Sequence, residues 1–248
     1  MSTYVLIHGA WFGSWCWERV VPLLEREGHT VLTPDLPGYG GDATPLADVT
    51  LQSYAERVCQ VLDAQAAPVI LVGHSRGGIA ITQAAEYRPD KIATLVYLSA
   101  FLPRNGESMS QLAQQDTAAL TPPHLAFARD HGSVAFEGGA AAVKEVLCQD
   151  CADDEVARAA ARLIPDALAP WGTPLQTTEE RFGRIPRAYI QTLQDRGITP
   201  ALQRQMYTAV PCQAVVTLDT GHASFYAAPA DLALRLSALP SQARAATA

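Results

Sequence analysis

Six short, strongly apolar runs separated by helical stretches limit what this chain can become. They are Thr3–Ile7, Thr30–Thr33, Val69–Val72, Thr94–Leu98, Arg187–Thr192 and Gln213–Leu218. Several lack polar alternation, which marks strands buried on both faces. Strands of that kind alternating with helices demand a mainly parallel, six-stranded sheet covered by helices, an α/β architecture. The clearest helix spans Leu51 to Gln65, where Leu51, Tyr54, Ala55, Val58, Val61 and Leu62 fall on one face of a 3.6-residue period and Thr50 is placed to cap it. Further helices are expected from Ser14 to Glu27, from Arg76 to Tyr87, and from about Ala228 to Leu239, the last with Pro229 in its first turn.

Between Pro103 and Pro186 the alternation stops. Ala-rich helical pieces (Ala140–Leu147, Asp154–Leu163) and many prolines occur there, with no recognisable strand. An insertion of this size reads as a helical cap following the fourth strand and lying over one end of the sheet. The expected division is a core of residues 1–102 and 187–240, a cap of 103–186, and a frayed tail of 241–248.

Of the 248 residues 48% are hydrophobic, enough for a substantial core. The net charge of −7, from 18 Lys+Arg against 25 Asp+Glu, offers no basic face for a nucleic acid. No run reaches the ~20 apolar residues that a membrane helix needs. The first strand begins almost at once, without the basic and apolar regions of a secretory signal. Five scattered cysteines then read as plain thiols in a cytoplasmic protein. Cys148 and Cys151 spell C-x-x-C, but no second pair or nearby histidine completes a metal site.

The chemistry concentrates at Gly73-His74-Ser75-Arg76-Gly77, which lies directly between a strand and a helix. G-x-S-x-G in that context is a strained bend that lifts the serine hydroxyl out of the sheet, with glycines allowing helix and strand to approach. A serine needs a base to become nucleophilic, and the base needs an acid to orient it. Bends of this kind take their partners in the chain order serine, acid, histidine. His222, on the loop after the last strand, fits as base. His8 and His74 sit at strand ends and read as loop supports; His124 and His131 fall in the insertion. Asp195, just past the penultimate strand, is the favoured acid. Asp219 is its competitor, three residues before His222. An oxyanion hole needs two backbone N–H groups: Arg76 supplies one, and Ala10, after a turn permitted by Gly9, supplies the other. The Arg76 side chain itself reads as a solvated charge at a helix start. None of this chemistry calls for a metal or organic cofactor.

On these residues the chain resembles the α/β-hydrolase superfamily, and within it the group of plant methylesterases, hydroxynitrile lyases and small bacterial carboxylesterases. The resemblance runs through Val5-Leu6-Ile7-His8-Gly9-Ala10-Trp11, Ser14-Trp15-Cys16-Trp17, Asp35-Leu36-Pro37-Gly38-Tyr39-Gly40, Gly73–Gly78, Asp150-Cys151 and Gly221-His222. It implies the α/β-hydrolase fold, a Ser75–His222–Asp195 triad and hydrolysis of a small, largely apolar ester through an acyl-enzyme. The lyases of the group are implied to carry threonine and lysine where this chain has Gly9 and Ala223, which favours an esterase. C–C bond hydrolysis, cofactor-free perhydrolysis and a non-catalytic small-molecule receptor are the remaining alternatives. Trp11 and Phe12 beside the oxyanion loop, and Trp171 in the cap, are candidates for lining the ester pocket. Beyond that ester, the expected partner is at most a second copy of the chain, as a monomer or homodimer.

Overall fold

The computed structural model describes the backbone of residues 1–245 and the side chains of residues 1–239. In chain order, strands β1 (Thr3–Ile7), β2 (Thr30–Leu32), β3 (Val69–His74) and β4 (Ile92–Leu98) precede the insertion. Strands β5 (Leu125–Ala128), β6 (Ser133–Phe136) and β7 (Asp166–Ala167) lie within it, and β8 (Arg187–Thr192) and β9 (Ala214–Leu218) follow. The main sheet has the order β2-β1-β3-β4-β8-β9, with every neighbouring pair parallel. Its central strands β1, β3, β4 and β8 are buried almost end to end, as their unbroken apolar runs require.

Helices α1 (Val21–Arg26), α2 (Leu51–Asp63) and α3 (Gly77–Tyr87) follow β1, β2 and β3. The Thr50 cap forms as the sequence suggests: its hydroxyl accepts from the Ser53 N–H at 3.0 Å, and Ser53 answers the Thr50 N–H. Leu51, Tyr54, Ala55, Val58 and Leu62 are buried on the face that the spacing marked. The segment 14–27 is less regular than its composition suggests. Ser14–Trp17 forms a tight 3₁₀ turn and α1 starts only at Val21, with Pro22 inside its first turn. The last helix runs from Pro229 to Ala245, past the expected end at Leu239, and residues 246–248 of the expected tail lie outside the described residues.

The insertion differs from the helical cap that the sequence suggests. β5, β6 and β7 form a small antiparallel sheet inside it, with Ala126 opposite Ala135 and Val134 opposite Asp166. These strands leave no signal in the sequence because they are only two to four residues long and carry little periodicity. The expected helical pieces are present but trimmed: Gly139–Ala142 continues into a wider turn to Leu147, and Asp153–Ala160 forms one helix. No helix among the described residues is long and apolar enough to cross a membrane.

The packing of α3 against the sheet centres on glycine. A Cβ on Gly77 would come within 2.8 Å of the carbonyl oxygens of both Ile7 and His8, and one on Gly73 would sit 2.9 Å from the Gly77 carbonyl. Those neighbours are buried backbone and cannot move aside. Gly77→Ala is therefore expected to lower the unfolding free energy by ~1–3 kcal/mol, in the range of overpacked cores. Gly172→Ala, at a position with open space around it, should stay within about 0.5 kcal/mol. Urea unfolding of both variants checks the contrast; equal stabilities would mean that the α3 approach is not tight.

Candidate active site

Ser75 stands at the bend between β3 and α3, with φ of +53°. For a residue with a Cβ that conformation costs ~1–2 kcal/mol. The neighbours that hold it are backbone groups. The Ser75 N–H donates to the Leu98 carbonyl at 3.2 Å, and its own carbonyl accepts from Gly78 and Phe101, both at 3.0 Å. Gly9 crosses directly beneath: a Cβ there would lie 2.8 Å from the Ser75 Cβ and 2.9 Å from His74 Nδ1. Gly9 is thus required for space. The positive φ of this loop falls at Trp11, at +64°, and not at Gly9.

His222 is delivered by the loop after β9 and is 3% exposed. Its Nδ1 lies 2.8 Å from Asp195 Oδ2. The remaining lone pairs of that carboxylate are taken by Thr192 Oγ1 at 2.9 Å, Gln203 Nε2 at 3.1 Å, and the Gly197 and Ile198 amides at 2.8 and 2.9 Å. With donors on every side, Asp195 serves purely as acceptor, so His222 Nδ1–H is the donor in this contact. The rival Asp219 instead accepts from Gln194 on the surface, at 2.9 Å. Cap residues grip the His222 loop on both sides: Gly221 N–H donates to Asp150 at 2.7 Å, and Ala223 N–H to the Leu147 carbonyl at 2.9 Å. The flanking Cys148 and Cys151 are buried free thiols. A hydrogen bond between them, and then burial, push Cys148 far above the usual thiol range, so it is not a reactive nucleophile.

Ser75 and His222 line one cavity, whose walls include Ala10, Trp11, Phe101, Leu147, Trp171 and Leu202. No hydrogen bond joins the Ser75 and His222 side chains in this conformation. Neither the Ala10 nor the Arg76 backbone N–H finds an acceptor among the described residues. Of the expected lining residues, Trp11 and Trp171 are on the wall. Phe12 is not: it packs inward against Trp15, His74 and Phe225. His124 and His131 do not line the cavity.

The largest departure concerns the Arg76 side chain, expected in solvent and found fully buried. Its Nε donates to Asp166 at 3.2 Å and its Nη2 to the Gly9 carbonyl at 3.1 Å, and the guanidinium lies 4.5 Å above the Tyr54 ring. Burial opposes its charge, but Asp166 and the two tyrosines outweigh that and push its pKa upward. Asp166, Tyr39, Thr192 and Gln203 went unmarked as site residues in the sequence. Only Tyr39 lay within a quoted motif; an aspartate in a short cap strand announces nothing locally.

A serine raised on a strand-to-helix bend, under a cap and beside a buried histidine, marks the α/β-hydrolase class. The chain belongs to the alpha/beta hydrolase family, whose profile matches residues 4–235. It is 35% identical over 240 residues to a pyrethroid hydrolase of Sphingobium wenxiniae, covering 94% of this chain and 85% of that one. It is 31% identical to methylesterase 9 of Arabidopsis thaliana, covering 95% and 97%. The crystal structure of a pyrethroid hydrolase from Sphingobium faniae superposes with a TM-score of 0.83 at 30% identity, over 97% of both chains. The chain is an enzyme of the carboxylesterase-type hydrolases.

Two other histidines set the electrostatics beneath the site. His8 Nε2 accepts from the Leu36 amide at 3.2 Å, so its Nδ1–H donates to the Gly9 carbonyl at 2.9 Å. Burial first, then the Arg76 charge, holds its pKa down to about 3. His74 is likewise held well below the ordinary range, by burial and then by His222. Both imidazoles are therefore neutral in the fold, while an unfolded chain would protonate them near pH 6.5. The unfolded state then binds more protons, so stability is complete above pH 6.5 and falls as pH drops, for His8 down to about pH 3. His8 is expected to remove about 2 kcal/mol between pH 7 and pH 5, and His74 to add a loss in the same direction. Urea unfolding at the two pH values measures this; a change of a few tenths would mean the rings are charged in the native state.

Proposed function

We propose that this protein hydrolyses small, neutral, largely apolar carboxylic esters by two-step acyl transfer. One observation carries the reading: a histidine whose Nδ1 is committed to a fully bonded aspartate shares a single apolar cavity with a serine held at φ +53°. In this reading Ser75 Oγ attacks the ester carbonyl as His222 Nε2 removes its proton. Asp195 keeps the imidazole in the required tautomer and stabilises the imidazolium. The Ala10 and Arg76 amides, which find no acceptor among the described residues, bind the oxyanion of the tetrahedral adduct. His222 then returns its proton to the leaving alcohol, and water repeats the sequence on the acyl-enzyme.

The walls argue for the substrate class. Aromatic and aliphatic side chains dominate, and among the described residues no lysine or arginine side chain lines the cavity. Its one wall carboxylate, Asp116, is occupied by the Thr199 amide at 2.8 Å and hydroxyl at 2.6 Å. A free carboxylate on the substrate would be desolvated with no cation to meet it. Absence of a cation also disfavours cyanide as leaving group, and the space beside Ser75 excludes any side chain at position 9. The pyrethroid hydrolase and methylesterase relatives act within the same reaction class.

Ser75→Ala is expected to abolish p-nitrophenyl ester turnover and covalent labelling by a serine-directed phosphonate while the fold persists. Asp195→Asn should lower kcat by roughly 10⁴, because the amide favours the wrong imidazole tautomer. A Ser75→Ala variant with the full rate would sink the assignment. Between substrates, kcat/KM for a neutral methyl ester should exceed that for the matching monoester bearing a free carboxylate by roughly 100-fold. Equal values would place the acyl chain elsewhere.

A further inference from the structure

Asp166 is the most heavily bonded carboxylate outside the Ser75–His222–Asp195 group, and it comes from the cap. It is fully buried on β7. Its Oδ1 accepts from the hydroxyls of Tyr39 at 2.7 Å and Tyr54 at 2.9 Å. Its Oδ2 accepts from Trp171 Nε1 at 2.8 Å and Arg76 Nε at 3.2 Å. Two of these partners lead straight to the loop after β1. Arg76 Nη2 donates to the Gly9 carbonyl at 3.1 Å, and the Tyr39 hydroxyl accepts the Trp11 N–H at 3.0 Å.

We infer that Asp166 is a positioning residue for the oxyanion hole, acting through Arg76 on the Gly9–Ala10 peptide and through Tyr39 on the Ala10–Trp11 peptide. The inference rests on the esterase reading above, in which the Ala10 amide is an oxyanion donor. In a planar trans peptide, C=O and N–H point in opposite directions. Arg76 and His8 draw the Gly9 oxygen into the interior, so the Ala10 N–H is turned the other way, to the cavity that Ala10 lines. Tyr39 secures the following peptide, just where Trp11 enters its left-handed conformation. The loop has no regular secondary structure to fix it. A buried charge with geometrically specified donors on both sides supplies that rigidity instead. The cap thereby completes the catalytic geometry in addition to covering the pocket.

Tyr39→Phe removes the hydroxyl bridge but keeps the ring and the ion pair. Arg76→Lys keeps the charge but cannot span Asp166 and Gly9 together. In both variants kcat is expected to fall roughly 10- to 100-fold, the scale of a slightly misplaced catalytic group, with KM within about threefold. A trifluoromethyl ketone, whose serine adduct carries an oxyanion, should lose affinity by the same factor; the corresponding secondary alcohol, which forms no adduct, should bind unchanged. Folded variants with wild-type kcat, or with raised KM and unaltered ketone affinity, overturn the inference. Should Arg76→Lys fail to fold, Tyr39→Phe decides alone. Ser75→Ala, assayed alongside, separates the two levels. Activity in that variant defeats the esterase reading itself. Its inactivity beside unaffected Tyr39→Phe and Arg76→Lys defeats only the positioning role.

Discussion

Three backbone segments meet beneath Ser75 with almost no room between them, and the geometry of the candidate site depends on that contact. The end of β1, the end of β3 and the start of α3 approach through Gly9, Gly73 and Gly77, where a single added carbon would strike backbone or the serine itself. This packing makes a left-handed serine tolerable: its amide and carbonyl are claimed by Leu98, Gly78 and Phe101, so relaxing φ would break three hydrogen bonds to gain ~1–2 kcal/mol. The hydroxyl is raised to the cavity floor because the main chain has nowhere else to go.

Two buried carboxylates then organise what surrounds the serine, one from each part of the chain. Asp195, after β8, spends its lone pairs on side-chain and backbone donors and orients His222. Asp166, in the cap, meets a guanidinium, two phenols and an indole. Burying the two carboxylates is tolerated because their oxygens all accept hydrogen bonds, although Arg76 Nη1 beside Asp166 finds no partner among the described residues. The cap also holds the histidine loop through Asp150 and Leu147. Cap and core are therefore linked around the cavity that Ser75 and His222 line, and its walls are mostly apolar.

Most strands of the core and its helices α2 and α3 were legible because they announce themselves locally, whereas the helix Pro200–Ala209 between β8 and β9 was not among the expected elements. The unbroken apolar runs of β3 and β4, and the one-sided spacing of α2 with its Thr50 cap, need no knowledge of partners. The cap strands β5, β6 and β7 were not legible, since runs of two to four residues show no usable period. Arg76 was misjudged for a related reason. An arginine at a helix start is ordinarily solvated, and the carboxylate that lets it be buried lies 90 residues away in sequence. Phe12 is not on the cavity wall, because its place in the loop after β1 does not reveal which way a ring turns; here it turns toward Phe225 and His74.

By itself the sequence determined the parallel α/β framework, the serine at its sharp bend, and the pairing of a late histidine with an aspartate after the penultimate strand. Those depend on short-range spacing and on chain order, which are written along one dimension. Only the tertiary structure decided that Gly9 serves clearance and Trp11 conformation, that a cap strand supplies a buried anion, and that Arg76 and Tyr39 relay it to the loop beside the serine. Each of those facts is a contact between residues far apart in the chain, and such contacts exist only once the backbone has closed on itself.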